Sequence, residues 1–325
     1  GALAANGGPT ETQRPAPTSP AIDAIPAGTG TLCDGTFAVD QRGVARPNGT
    51  GCDVGAVEYL SSVTVDDGGD THDAAPGDDV CADGNGACTL RAAIDEANAV
   101  AGPQTITVDP SITAITLALP GNNENANASG DLDVTDETTI EGNGVTIDAN
   151  GSVLHDRAID VRSGGLTLRD ATLTGGAPNA LASRDGGALV TNATTTLERV
   201  HLTGNTANYG GANTGCSGVN NAMAWNCTIV SNLNYGVQNY SAISALTNCI
   251  VYGNLKGNFR AGKTYHIGYT CTTTNLGTFP GAIHIITNAP DFVDAAAQNY
   301  RLTDISPCIA QGKYMDWMAG TLDLD

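Results

Sequence analysis

The chain has 325 residues, 14 basic and 34 acidic, and a formal net charge of −20; phosphates and anionic headgroups are bound by clustered Lys and Arg, so this balance speaks against nucleic acid and anionic membrane surfaces as partners. Charged residues make up only 15% and glycine is 41 of 325, while Val, Ile, Leu and Thr recur in short runs, which excludes a disordered polyelectrolyte and points to short strands joined by tight turns. No apolar run approaches the roughly 18 residues of a membrane helix.

Gly1 to Asn6 carry neither a basic region nor a long apolar core, so no signal peptide is expected there and the chain reads as a mature product or an excised fragment. Pro9, Pro15, Pro17, Pro20, Pro26 and Pro47 interrupt residues 1–60. They predict an irregular, extended segment with one short strand near Asp53–Tyr59. Ser62 to Val65 alternates as a strand does, and an acidic loop with Asp66, Asp67, Asp70, Asp73, Asp78 and Asp79 follows. Of nine cysteines, Cys33 with Cys52 and Cys81 with Cys88 form two local pairs inside Gly/Asp-rich loops. Such pairs suit disulfides in an oxidising compartment. The odd number leaves at least one thiol unpaired, and no CxxC has a partner pair, which argues against a zinc site.

The one predicted helix covers 89–99. Leu90, Ala93, Ile94 and Ala97 form a single apolar stripe, Thr89 serves as N-cap, and Gly102-Pro103 ends the element. From Thr105 onward short β runs recur, among them Thr105 to Val108, Ile115 to Leu117, Thr139-Ile140, Val145 to Ile147, Leu166 to Leu168 and Ala171 to Leu173. Each is bounded by Gly, Asn or Asp, with no helical pattern between them. Internal similarity adds a period. Arg199-Val-His-Leu-Thr-Gly-Asn205, Asn226-Cys-Thr-Ile-Val-Ser-Asn232 and Asn248-Cys-Ile-Val-Tyr-Gly-Asn254 align, and their closing Asn differ by 232 − 205 = 27 and 254 − 232 = 22. A repeat near 22 residues with one apolar strand and an Asn/Gly turn fits one coil of a parallel β-helix. Equivalent positions of successive coils stack, which places Cys227 over Cys249 and Asn232 over Asn254. The expected fold is therefore all-β: a right-handed parallel β-helix of about 9–11 coils, with the 89–99 helix as N-terminal cap. At a spacing of ~4.8 Å the rod would be roughly 45–50 Å long.

Three motifs carry a family resemblance. Cys88-Thr-Leu-Arg-Ala-Ala-Ile-Asp-Glu-Ala-Asn98 resembles the opening motif CSLREAI…AN, with Thr89 for Ser and Ala92 for Glu. Asp40-Gln-Arg-Gly-Val-Ala-Arg-Pro47 with Gly51-Cys-Asp-Val-Gly-Ala-Val-Glu58 resembles a closing motif, DQRG.ARP…CDIGAFE. Tyr300-Arg-Leu-Thr, Ser306-Pro-Cys-Ile309 and Asp323-Leu-Asp325 are similar to a closing block YRL…SPCIDAG…DLDG. Together they resemble the CSLREA-type, choice-of-anchor right-handed parallel β-helix proteins of bacterial surfaces. The resemblance implies a secreted or cell-surface protein and no catalytic residue. It divides the chain into 1–60, the closing piece of a preceding module, and 61–325, a β-helix module whose own closing segment is about 300–325. Residues 1–60 lack the apolar periodicity for a core of their own. They are expected to lie on the flank or end of their own β-helix, or on a neighbouring copy in a head-to-tail filament.

Candidate sites are few. Asp66, Asp67 and Asp70 could hold Ca²⁺, which takes several oxygens from a flexible loop, although the EF-hand order is missing; Asp131, Asp133 and Asp136 are a second candidate set. The bland reading of both is a solvated acidic loop. His155, Asp156, Arg157, Asp160 and Arg162, with Arg184, Asp185 and His201, form the richest cluster predicted to face outward. An acid, a base and an Arg in one groove would suit a polysaccharide lyase or a glycoside hydrolase; the competing reading is salt-linked surface strands. The Asn-x-Ser/Thr sites at Asn48, Asn127, Asn150, Asn192 and Asn226 arise from composition. Tyr314, Met315, Trp317 and Met318 are expected to cover the last coil. The function expected is a non-enzymatic extracellular structural or adhesive module. It needs no cofactor, with calcium optional, and its partner would be another copy or a carbohydrate or cell-surface ligand. A polysaccharide lyase or hydrolase is the alternative.

Overall fold

The computed structural model describes residues 3–4, 9–16, 18–59, 62–100, 102–122, 124–178, 186–206, 213–218, 222–239, 244–260, 265–273, 279 and 281–315. Strand is the predominant regular structure, at 38% with few helices, and the largest element is a 13-stranded sheet whose pairings are all parallel. Followed through this sheet, the chain lays down Ser62–Val65, Gln104–Val108, Glu137–Asp148 and Gly165–Thr174 side by side. Beyond them two tracks continue, one through Thr194–Glu198, Ala222–Trp225 and Ser244–Thr247 and the other through His201–Thr203, Thr228–Val230 and Ile250–Tyr252. Both join Tyr265–Thr272, and Ile283–Ile286 closes the series. A second parallel sheet of six strands runs Leu132–Val134, Ile159–Val161, Leu189–Thr191, Asn213–Gly218, Tyr235–Asn239, Gly257–Phe259.

Parallel in-register pairing stacks like on like. Ile106, Ile140, Leu168, Leu197, Ala224, Leu246 and Ile267 are successive Cα partners, as are Ile115, Ile147, Leu173, Leu202, Ile229 and Val251. All are buried. At about 25 cal/mol per Å² of apolar area, these columns are the main force holding the layers together. Cys227 lies over Cys249, since Ile250 N donates to Cys227 O at 2.9 Å; in the next layer the column passes to Thr270, because Cys271 is the Cα partner of Ile250. The closing asparagines form a ladder as well. Asn205 Nδ2 donates to Asn232 Oδ1 at 3.1 Å, and Asn232 Nδ2 to Asn254 Oδ1 at 2.9 Å.

The expected pairs of short runs at 139–147 and 166–173 are instead single long strands, Glu137–Asp148 and Gly165–Thr174. Left-handed residues inside each, Asn143 with Gly144 in the first and Asp170 in the second, turn the chain between two faces without ending the ladder. Asn143 (φ 52°), Asp170 (50°), Arg199 (54°), Asn226 (53°), Asn248 (58°), Tyr269 (52°) and His284 (52°) mark this corner in successive layers. Asn and Asp tolerate that conformation. Where bulkier residues occupy it, neighbouring corners interact: Arg199 Nε donates to Asp170 Oδ1 at 2.6 Å, and the Tyr269 and His284 rings stack at 5.1 Å.

The predicted helix is Leu90–Ala99, with the Thr89 side chain accepting from Ala92 N at 3.2 Å. Leu90, Ala93, Ile94 and Ala97 are buried against the first strands, and so are Arg91 and Glu96 on the polar side. Both disulfides form, Cys33–Cys52 with Cα atoms 5.8 Å apart and Cys81–Cys88 with 5.1 Å. Alkylation of the unfolded, unreduced protein should therefore modify none of these four cysteines. Replacing Cys33 and Cys52 by Ser should cost about 3 kcal/mol, the effect of opening a loop of this size; full labelling without reductant would contradict the pairing.

The strand expected at Asp53–Tyr59 is absent; only Gly51–Cys52 pairs, with Ile25–Pro26. Side-chain acids capture the backbone donors a strand would need. Asp53 Oδ2 accepts from Tyr59 N at 2.6 Å, and Glu58 Oε1 from Asp53 N at 3.0 Å. This N-terminal segment contacts the acidic loop and the first strands of its own chain. Arg14 and Arg42 both pair with the buried Asp79, and Gln104 Nε2 donates to Tyr59 OH at 3.5 Å. At the other end the closing segment folds back along the large sheet. Asn248 Nδ2 donates to Lys313 O at 2.8 Å, and His284 meets Gln311 at 3.1 Å. Tyr314 is 66% exposed and covers no layer; Trp317, Met318 and the Asp323 to Asp325 end of the closing motif lie outside the described residues.

Candidate functional site

Asp66, Asp67 and Asp70 do not converge. Asp66 Oδ1 accepts from Cys88 N at 2.8 Å, and Asp67 Oδ1 from Gly69 N at 2.7 Å. Asp70 is buried against Arg91, taking Nε at 2.5 Å and Nη2 at 3.3 Å, and its Oδ2 also accepts from Ala118 N and Leu119 N. Each carboxylate ties the loop to the fold, and the Arg91 guanidinium stands where a cation would have to approach Asp70. The structure thus does not bring these three carboxylates together, and each of them is engaged by donors of the protein. Two other groups do bring carboxylate oxygens within 4.8 Å of one another, Asp73–Asp78–Glu96 and Glu124–Asp131–Asp133.

In the first group the partners are backbone donors. Glu96 Oε2 accepts from Gly77 N and Oε1 from Asp79 N, both at 2.5 Å. Asp73 accepts from Ala75 N and Ala82 N, and Asp78 from Val80 N. Burial still pushes Glu96 up to about 7.

The second group belongs to the Asp156/Arg157 cluster, whose geometry departs from the expected open groove. In the six-stranded sheet Asp133 and Asp160 are direct Cα partners. Arg157 stands 3.4 Å from Asp131, 3.5 Å from Asp156 and 3.3 Å from Asp160, and Arg162 Nη1 reaches Asp160 Oδ2 at 3.1 Å. Residues 119–122 and 124–131 fold over this layer. Gly130 N donates to Leu119 O at 3.0 Å, and Asn127 N to Asp133 Oδ2 at 3.0 Å. As a result Asp156 is 1% and Arg157 3% exposed, so these two members of the predicted outward cluster are covered by protein, whereas His155 is exposed and Arg162 half-buried. Arg184 and Asp185 lie outside the described residues. Asp136 faces elsewhere, accepting from Gly102 N and Glu137 N.

Burial sets the electrostatics of the cluster. It drives the Asp131 carboxyl well above the usual range, and the Asp156 charge adds to that. Burial pushes Asp133 up to about 7 against the hydrogen bond from Asn127, with Asp160 and Glu124 pushing the same way. Burial also raises Asp156, although Arg157 opposes it. Glu124 would rise on burial too, but the N–H groups of Ser129 and Ala126 hold it below its ordinary value. Glu124 escaped the sequence reading because it reaches the strand acids only through the fold of its loop.

A cleft of 880 Å³ separates the corner column from the closing segment and is lined by Arg199, His201, Asn248, Tyr269, Tyr300 and Cys271 among others. His201 meets Tyr300 edge to face at 4.9 Å, and burial pushes its imidazole down to about 4, so it is neutral at physiological pH. Arg199 is held by both oxygens of Asp170 at 2.6 Å. Among the described residues no carboxylate lines this cleft.

No protein-family model, curated protein or solved structure matches the chain. The geometry alone therefore bears on function. Among the described residues, no helix is long and apolar enough to cross a membrane. Of the Asn-x-Ser/Thr sites, Asn127 is fully buried and donates to Arg91 O at 3.1 Å, and Asn226 is a corner residue.

Proposed function

We propose that the chain is a right-handed parallel β-helix of the CSLREA type that serves as a non-enzymatic, extracellular structural or adhesive module. The observation that carries this reading is the burial of Asp156 and Arg157, at 1% and 3% exposure. Lyases and hydrolases need an acid, a base or a paired carboxylate that touches the polymer, and these groups are under a loop. The open cleft offers His201 and Arg199 but no carboxylate pair among the described residues. Two disulfides support an oxidising compartment. The right hand of the helix rests on the rule that parallel β-crossovers are right-handed in about 98% of cases.

The test is incubation of the full chain with pectin, alginate and neutral polysaccharides. No unsaturated or reducing ends should be released. Turnover that disappears in Asp156→Ala or Arg157→Ala, with the fold retained by circular dichroism, would replace this reading by the enzyme.

A further inference from the structure

Glu124, Asp131 and Asp133 bring one carboxylate oxygen each within 4.8 Å of the others. Acidic clusters alone are common, and a second feature sets this one apart. Asp131 is 3% and Asp133 0% exposed, yet Asp131 Oδ1 and Asp133 Oδ1 accept no hydrogen bond. Buried carboxylate oxygens are ordinarily satisfied, and an orphan one carries a desolvation cost of about 1–3 kcal/mol or more. Their second oxygens are engaged, Asp133 Oδ2 by Asn127 N at 3.0 Å and Asp131 Oδ2 facing Arg157 Nε at 3.4 Å. Asp133 and Glu124 also face one another as side-chain hydrogen-bond partners, a contact that needs a proton on one of them; a bound cation would take the place of that proton, and Asp131 Oδ1 is left with no hydrogen bond at all.

The other acidic group is the internal contrast. Asp73, Asp78 and Glu96 come within the same distance of one another and receive backbone N–H bonds, as Glu124 does from Ala126 N and Ser129 N; the difference is that no buried oxygen of the first group is orphaned among the described residues. Arg157 and Arg162 balance part of the charge of Asp131, Asp156 and Asp160. Glu124 and Asp133 have no guanidinium between them. Glu124 is half-buried and lies beside the exposed Asn125 and Ala126, so the site has a route to solvent.

We propose that Glu124, Asp131 and Asp133 bind one hard divalent cation of the calcium class, clamping the 119–131 loop onto the strand Leu132–Val134. An all-oxygen donor set with three carboxylates and no His or Cys selects a hard cation. Ca²⁺ tolerates irregular geometry and draws its remaining ligands from backbone carbonyls and water. Bound there, it would neutralise the acids that otherwise repel one another across the loop.

The experiment titrates CaCl₂ into the chelator-treated full chain by calorimetry and follows thermal unfolding in parallel. One site per chain is expected, with a dissociation constant in or below the roughly 10⁻⁴–10⁻³ M range of extracellular modules and a midpoint that rises with Ca²⁺. Glu124→Gln and Asp131→Asn should each weaken binding at least about tenfold, while Asp78→Asn in the contrasting group leaves it unchanged. Glu124→Gln lies at the solvent end of the site, so it keeps the test decisive if Asp131→Asn misfolds. No heat and no shift up to about 10 mM Ca²⁺, unchanged binding in Glu124→Gln, or loss of binding in Asp78→Asn would each overturn the proposal.

Discussion

Arg91→Met should lower the stability of the N-terminal cap by about 3–5 kcal/mol, the cost of breaking a buried ion pair from one side. Arg91 is 1% exposed and uses its whole fork. Nε and Nη2 hold Asp70, Nη1 donates to Asn127 O at 3.1 Å and Asp131 O at 3.0 Å, and Nη2 donates to Gly130 O at 2.8 Å. A single side chain thus joins the cap helix, the acidic loop and the 119–131 loop. Methionine fills similar volume but leaves Asp70 charged and buried, with three carbonyls unpaired. Lysine restores the charge without the planar fork, so Arg91→Lys should recover less than half of the loss. Arg91→Met with Asp70→Leu removes both charges and should be more stable than Arg91→Met alone. In a stacked fold each layer touches only its neighbours. Hydrogen-exchange protection should therefore fall first in 90–99 and 119–131, while the strands beyond 189 keep theirs. Denaturant midpoints of Arg91→Met equal to wild type would refute the clamp.

The layered part of the fold was legible because parallel in-register stacking demands like residues at like positions. The 22-residue spacing between Asn232 and Asn254 reappears as a direct side-chain bond, and Cys227 does lie over Cys249. The helix was legible because its stripe and its Thr89 cap are local signals. What escaped was non-local. Asp70 looked like a loop carboxylate, but its partners are Arg91 and the N–H groups of Ala118 and Leu119, up to 49 residues away. Asp156 and Arg157 were read as outward-facing, and strand alternation cannot say what lies on top of an outward face. Residues 124–131 cover them, held in part by Arg91 and Asp70 from elsewhere in the chain. The Asp53–Tyr59 strand failed for a related reason: Asp53 and Glu58 compete for the backbone donors.

Asn232→Asp should destabilise the middle of the stack by about 2–4 kcal/mol at neutral pH, an effect of the size expected for a buried polar group whose donors are lost. Asn232 is fully buried. Its Nδ2 donates to Leu202 O at 3.0 Å and to Asn254 Oδ1 at 2.9 Å, while its Oδ1 accepts from Asn205 N and Asn205 Nδ2, both at 3.1 Å. The amide passes donors one way and acceptors the other, and Asn205, Asn254 and Asn258 repeat the arrangement in neighbouring layers. An aspartate puts a charged oxygen against two acceptors. Protonated, it returns one donor and loses its charge. Its pKa in the folded state must therefore lie above the ordinary value of about 3.9. The folded variant then binds more protons than the unfolded chain between the two values, so its stability falls as pH rises through that window. Relative to wild type, the loss should be smallest below about pH 4 and full once the pH exceeds the raised pKa. Asn232→Ala removes donors and acceptors without adding a charge and should show a loss that does not vary with pH. Urea midpoints of both variants against wild type, at pH 4 and pH 8, separate the two effects. An Asn232→Asp deficit that is the same at both pH values would mean that the introduced carboxyl has the same pKa folded and unfolded, and that the ladder distinguishes donors from acceptors but not charge.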